Sequence, residues 1–239
     1  MPVPGEPGRY PRPRATDVLR RALALASVVA RAGLEPRADE PEAAAMHRRM
    51  LDWLRVTGLQ AALEPAEAAL VGLPLGSLSD VAMVDASWRA EGIHVLAWAL
   101  DRHAPVPHDR MVDPDDVAWT LGFLDNAAPE RLHDAALRGD REIDTFLARQ
   151  LALHWRLREY SLRPGPMDFA AVVANGGWAR LDIDDADLID DDLAIDGVRI
   201  DRADDAQLAR CTSIAAERHR AANWLAGADS IYSSVENIT

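Results

Sequence analysis

The sequence contains no lysine; all 26 of its basic residues are arginine. That absence excludes Schiff-base chemistry on a lysine amine and the lysine of a phosphate-gripping P-loop. Cysteine is almost as scarce. Cys211 stands alone, so no intrachain disulfide can form and no thiolate cluster can hold zinc or iron–sulfur. A reducing, cytoplasmic setting is expected. No run approaches the roughly 18 consecutive apolar residues of a membrane span. The opening Met1-Pro2-Val3-Pro4-Gly5 also lacks the charge followed by an apolar run that marks an export signal. Absent too are G-x-G-x-x-G, G-x-S-x-G and H-E-x-x-H, which removes the usual sequence grounds for proposing a nucleotide site, a serine hydrolase or a zinc protease.

Acidic residues are plentiful, and the formal net charge is −13. Such a field repels phosphate backbones and anionic membrane surfaces, so neither nucleic acid nor a membrane is expected as a partner. A basic protein would be steered toward it.

Apolar periodicity is overwhelmingly helical. Residues 1–14 carry five prolines, two glycines and three arginines and read as a flexible leader. Thr16 is expected to cap a first helix whose apolar stripe runs from Val18 to Val29, ending near Gly33. A second helix is expected over Pro41–Thr57, with Met46, Met50, Trp53 and Leu54 toward the core. Ser79 or Asp80 caps a helix running to about Asp101, and Asp113-Pro114 opens one carrying Val117, Trp119, Leu121 and Leu124. Long helices are expected from Arg141 to about Leu162 and from Asp205 to Ala226. Between them an acidic loop and hairpin excursion occupies about 177–204, with Asp196-Gly197 as the hairpin turn of 193–200. The expected architecture is mainly α: a single domain over 15–239, a multi-helix bundle around a central buried helix at about 80–101, with one small β-hairpin.

That central helix holds the chief anomaly. Val81, Val84, Trp88, Glu91, Val95 and Trp98 recur at offsets of three and four, which places Glu91 in an apolar row of a helix that reads as buried nearly all round. A carboxylate there must be paired, protonated or facing a cavity. It is the one weak catalytic candidate, as a general acid or base with a raised pKa. The alternative is a structural ion pair with an arginine. His154-Trp155-Arg156-Leu157-Arg158 and Glu217-Arg218-His219-Arg220-Ala221-Ala222-Asn223-Trp224 could supply that arginine. Arg218 lies on the row of Cys211, Ala215 and Ala222, and its planar fork suits a carboxylate or an anionic ligand.

Metal sites are not expected. Glu91-Gly92-Ile93-His94 has the spacing used by di-iron bundles, but no second copy accompanies it. The acidic run Asp182–Asp192 lacks the glycine and the closing glutamate of a calcium loop and reads as a solvated acidic loop. No cofactor is expected, and Cys211 reads as a small core residue.

The segments Trp88-Arg89-Ala90-Glu91 with Val95-Leu96-Ala97-Trp98, Leu153-His154-Trp155-Arg156-Leu157-Arg158, and Glu217-Arg218-His219-Arg220-Ala221-Ala222-Asn223-Trp224 together resemble the bacterial domain-of-unknown-function family numbered 4272. The likeness spans about residues 15–239. It implies a helical fold and passes on no activity. It also implies that Trp88 with Glu91, Trp155 with Arg158, and Glu217 with Arg218 and Asn223 belong to one shared feature; Arg156, Arg220 and Trp224 of the same segments complete the weak binding candidates. The leading expectation is a non-catalytic helical domain that binds a protein partner. The alternative is an enzyme or anion-binding module using Glu91 as acid or base and Arg156, Arg158 or Arg218 as clamp.

Overall fold

A computed structural model describes residues 9–176 and 179–236. Residues 1–8 of the expected leader, Gly177 and Trp178 of the expected acidic excursion, and the last three residues lie outside the described residues. Among the described residues the chain forms nine α-helices and one small antiparallel sheet, as the helical periodicity predicts. The backbone gathers into two compact units.

The first unit comprises Arg14–Ala104 and Val112–Leu137. It contains α1 (Ala15–Leu34), α2 (Pro41–Val56), α3 (Pro65–Gly72), α4 (Asp80–Ala99), α5 (Pro114–Leu121) and α6 (Ala128–His133). α1 packs along α4; Val18, Leu19, Ala22, Leu23 and Leu25 of α1 and Ile93, Val95 and Leu96 of α4 are all buried. Burying such a side chain contributes about 1.5–3 kcal/mol. Local signals set the ends. Ser79 accepts the Ala82 N–H at 3.2 Å to start α4, and Asp113 caps α5 through the N–H groups of Asp115 and Asp116; each cap is worth about 1 kcal/mol. α1 starts earlier than the sequence suggests. Its cap is Arg14, and Thr16 sits inside the helix.

Two burial expectations are corrected. α4 is enclosed only from Ala90 onward; Val81 is 70% exposed and Val84 is exposed as well. Period alone registers an apolar stripe but cannot tell a covered one from an open one. Met46 is likewise exposed, while Met50, Trp53 and Leu54 form the buried face of α2.

The second unit takes in residues 9–13, 105–111 and the described residues from 138 on. α7 (Asp140–Leu162) packs on α9 (Asp205–Leu225). Between them in sequence come α8 (Phe169–Asn175), β1 (Leu188–Ile189), β2 (Asp192–Ile195) and β3 (Val198–Arg199). Leu153 and Leu157 of α7, Phe169 of α8, Leu193 and Ile195 of β2, and Cys211 and Ala215 of α9 share one apolar cluster. The β2–β3 turn has Asp196 at φ 50° and Gly197 at φ 77°, the left-handed pair that an Asp-Gly hairpin predicts. β1 adds a third strand by pairing Leu188 with Leu193; neither it nor α8 is expected from the sequence. Residues 9–13 are held rather than loose. The Tyr10 N–H donates to the Gly227 carbonyl at 2.9 Å, and Arg12 pairs with Asp144.

Candidate functional site

Of the charged side chains that the sequence marks as candidates, Glu91, Arg156, Glu217 and Arg218 are buried, Arg220 is partly buried and Arg158 is exposed. Trp88 and Glu91 belong to the first unit, and Trp155, Arg156, Arg158, Glu217, Arg218, Arg220, Asn223 and Trp224 to the second.

In the second unit, Arg156 projects from α7 and forks onto Asp192 at the start of β2. Nε donates to Oδ1 and Nη2 to Oδ2, both at 2.7 Å, with side-chain exposures of 1% and 0%. The carboxylate also accepts the N–H groups of Met167 at 2.9 Å and Leu193 at 2.8 Å. Arg156 Nη2 reaches the Gly165 carbonyl at 2.9 Å, and its guanidinium lies over the Tyr160 ring. An ion pair removed from water is tolerated when its remaining donors and acceptors are met, and here a helix, a loop and a strand meet them. Asp192 corrects the expectation of a wholly solvated acidic run. It is the last of that run, and its burial is set by an arginine 36 positions upstream. Asp182 of the same run pairs with Arg149 at 3.3 Å.

Arg218, buried on α9, donates from Nη1 to the carbonyls of Val106 and Pro107 at 2.9 Å each and from Nη2 to that of Arg110 at 2.8 Å. The same 105–111 segment reaches the hairpin: His108 Nε2 donates to the Ala194 carbonyl at 2.7 Å, and Asp109 accepts the Asp196 N–H at 2.7 Å. Asp196 then takes Arg210 of α9.

Beside these lies a pair of histidines. His154 Nδ1 and His219 Nδ1 are 3.0 Å apart, and Asn223 Nδ2 is 3.1 Å from His219 Nε2. An amide nitrogen only donates, so His219 Nε2 accepts and its proton sits on Nδ1; His154 Nδ1 therefore accepts in turn. Only neutral rings fit that chain. Burial, reinforced by the charges of Arg158 and Arg220, pushes His154 down to about 4, and burial with the neighbouring His154 pushes His219 down to about 3. Glu217 and Arg220 pair at 2.6 Å one turn apart on α9. Trp155 stacks on Phe169, and Trp224 meets Tyr232 edge-on.

In the first unit, Glu91 is 1% exposed, and its Oε1 accepts the Val112 N–H at 3.0 Å. Trp88, one turn earlier, is half-buried. His94 Nδ1 lies 3.1 Å from His103 Nδ1. His103 also donates to the Ala104 carbonyl at 2.8 Å and faces Asp116 at 3.3 Å.

The chemistry open to these groups is narrow. Burial pushes the Cys211 thiol up to about 11, so at neutral pH it is a thiol and a poor nucleophile. Among the described residues no three histidine, cysteine, aspartate or glutamate side chains are placed to hold a metal ion, and no helix is long and apolar enough to cross a membrane. Asp192, His154, His219 and the 105–111 segment belong to the polar set without having been singled out by the sequence. His154 and His219 had a signal, since each sits in a candidate arginine segment on a helix; the other two are joined to it only by the fold.

A mainly helical protein with a small sheet and with buried, hydrogen-bonded charges is thereby defined. The chain matches the family described as domain of unknown function (DUF4272) over residues 1–175 and belongs to it. That match takes in the whole first unit, α7 and α8, and it stops short of the sheet and α9; the sequence likeness spans residues up to 239. Neither a curated protein nor a solved structure matches the chain.

Proposed function

We propose that this is a non-catalytic interaction domain whose buried charges fix the packing of its helices and whose acidic exterior engages a basic protein partner in the cytoplasm. The observation that carries this reading is the use made of the two buried clamp candidates, Arg156 and Arg218. Arg218 binds three backbone carbonyls, and Arg156 is closed on both sides by Asp192 and Gly165. An anion clamp needs a guanidinium edge that a ligand can reach, and an acid or base must lie within reach of the proton it moves. Glu91 instead holds a backbone N–H. The net charge of −13 adds the electrostatic half of the reading.

A thermal-shift series separates this from an anion-binding enzyme. A ligand at about 100 times its Kd stabilises the folded state by about 2.7 kcal/mol. Phosphate, citrate and short dicarboxylates at matched ionic strength are expected to leave Tm unchanged. A rise that disappears in Arg218→Ala would support the clamp and overturn the non-catalytic interaction role.

A further inference from the structure

Trp119 is 80% exposed, the most exposed of the large apolar side chains among the described residues. It stands on α5, whose other face is anchored by the fully buried Val117 and Leu121, so the indole is held outward by a fixed helix. Asp115 and Asp116 precede it by four and three residues, which on a helix places both carboxylates one turn from the indole. Both are exposed. Asp113 serves as the cap and Asp116 leans on His103, while Asp115 makes no side-chain hydrogen bond among the described residues. α5 itself carries no basic residue. Arg131, which lies over Gly122 just beyond the helix, is paired with Asp125 at 2.8 Å.

We propose that Trp119 with Asp115 and Asp116 forms a docking platform for an arginine-bearing segment of a basic partner protein. The platform deepens the proposed interaction role and rests on it. An indole face attracts a planar guanidinium by cation–π stacking, and a carboxylate one turn away accepts the edge N–H groups of the same guanidinium. Charge selects the occupant. The local aspartates and the net charge of −13 disfavour an anionic peptide, a nucleic acid or an anionic lipid surface and favour a cationic segment. Exposed tryptophan is also among the residue types most enriched in side chains that dominate binding at interfaces.

The test uses the full chain and a labelled peptide of alternating arginine and glycine, read by fluorescence anisotropy at low ionic strength. The wild-type chain is expected to bind, with Trp119→Ala and Asp115→Asn each weakening binding about tenfold. Asp205→Asn makes the same charge change at the start of α9 and is expected to change it little. Exposed positions tolerate such changes, so all three variants are expected to melt with the wild type. Equal binding by Trp119→Ala and the wild type would overturn the platform while leaving the basic-partner role in place. No binding by any of the chains would overturn both. A dimer that Trp119→Ala converts to monomer without peptide would assign the face to a second copy and overturn the proposal as well.

Discussion

Arg156 and Asp192 show why a buried charge is better understood as a pair than as a residue. Each carboxylate oxygen accepts one arm of the guanidinium and one backbone N–H, so removing either partner leaves the other charged, buried and short of partners. Arg156→Met is therefore expected to destabilise the fold by about 3–5 kcal/mol, measured by urea denaturation. Replacing both, as Arg156→Met with Asp192→Leu, is expected to recover most of that loss, because two apolar side chains carry no desolvation penalty. A double variant no more stable than the single one would mean that the backbone contacts of Asp192 matter more than the ion pair.

Helix pairing in the second unit brings a pH dependence with it. α7 supplies His154 and α9 supplies His219 and Asn223, and the facing charges are Arg158 and Arg220. Folded values of about 4 and about 3 lie below the value of about 6.5 for an unfolded histidine. From there down to about 4 the unfolded chain binds more protons than the folded one, so acid favours unfolding. The stabilisation is complete above about 6.5 and is lost as pH falls, at up to about 1.4 kcal/mol per pH unit for each histidine. Urea midpoints are expected to drop from pH ~7 to pH ~5, and the His154→Gln, His219→Gln double variant to flatten that slope. A wild-type midpoint that does not move over this range would remove the neutral-pair account. The elements involved were largely legible in the sequence: α7 and α9 follow from long apolar periods bounded by capping residues, and the hairpin from Asp196-Gly197. α8 and β1 were not, because seven and two residues are too few for period to register and both depend on Asp192 and its neighbours being in place. The same limit governed the site. The burial of Glu91 was readable from its apolar row. Its bond to the Val112 N–H and the choice of Asp192 by Arg156 are tertiary, and an acidic run looks alike whether or not one of its members turns inward.

At the scale of the whole chain, the two units are interleaved in sequence. The first closes with residues 112–137 after the chain has already contributed 105–111 to the second. That short segment is the counterpart of several buried groups in its unit: three of its carbonyls hold Arg218, His108 holds Ala194 and Asp109 holds the turn at Asp196. A fragment beginning at Arg138 keeps α7, α8, the sheet and α9, and with them the apolar cluster, yet it would bury Arg218 with its carbonyl partners gone. Stripping a buried charge of hydrogen-bond partners costs about 3–5 kcal/mol, a large part of the stability of a small domain. Residues 138–239 alone are therefore expected to lack a cooperative thermal transition and near-UV circular dichroism, whatever helix the far-UV spectrum retains. Arg218→Met in that fragment is expected to restore part of the cooperativity, since it removes the charge whose three carbonyl partners are missing. If the unmodified fragment melted cooperatively, the 105–111 segment would be an ornament of the second unit rather than part of its core.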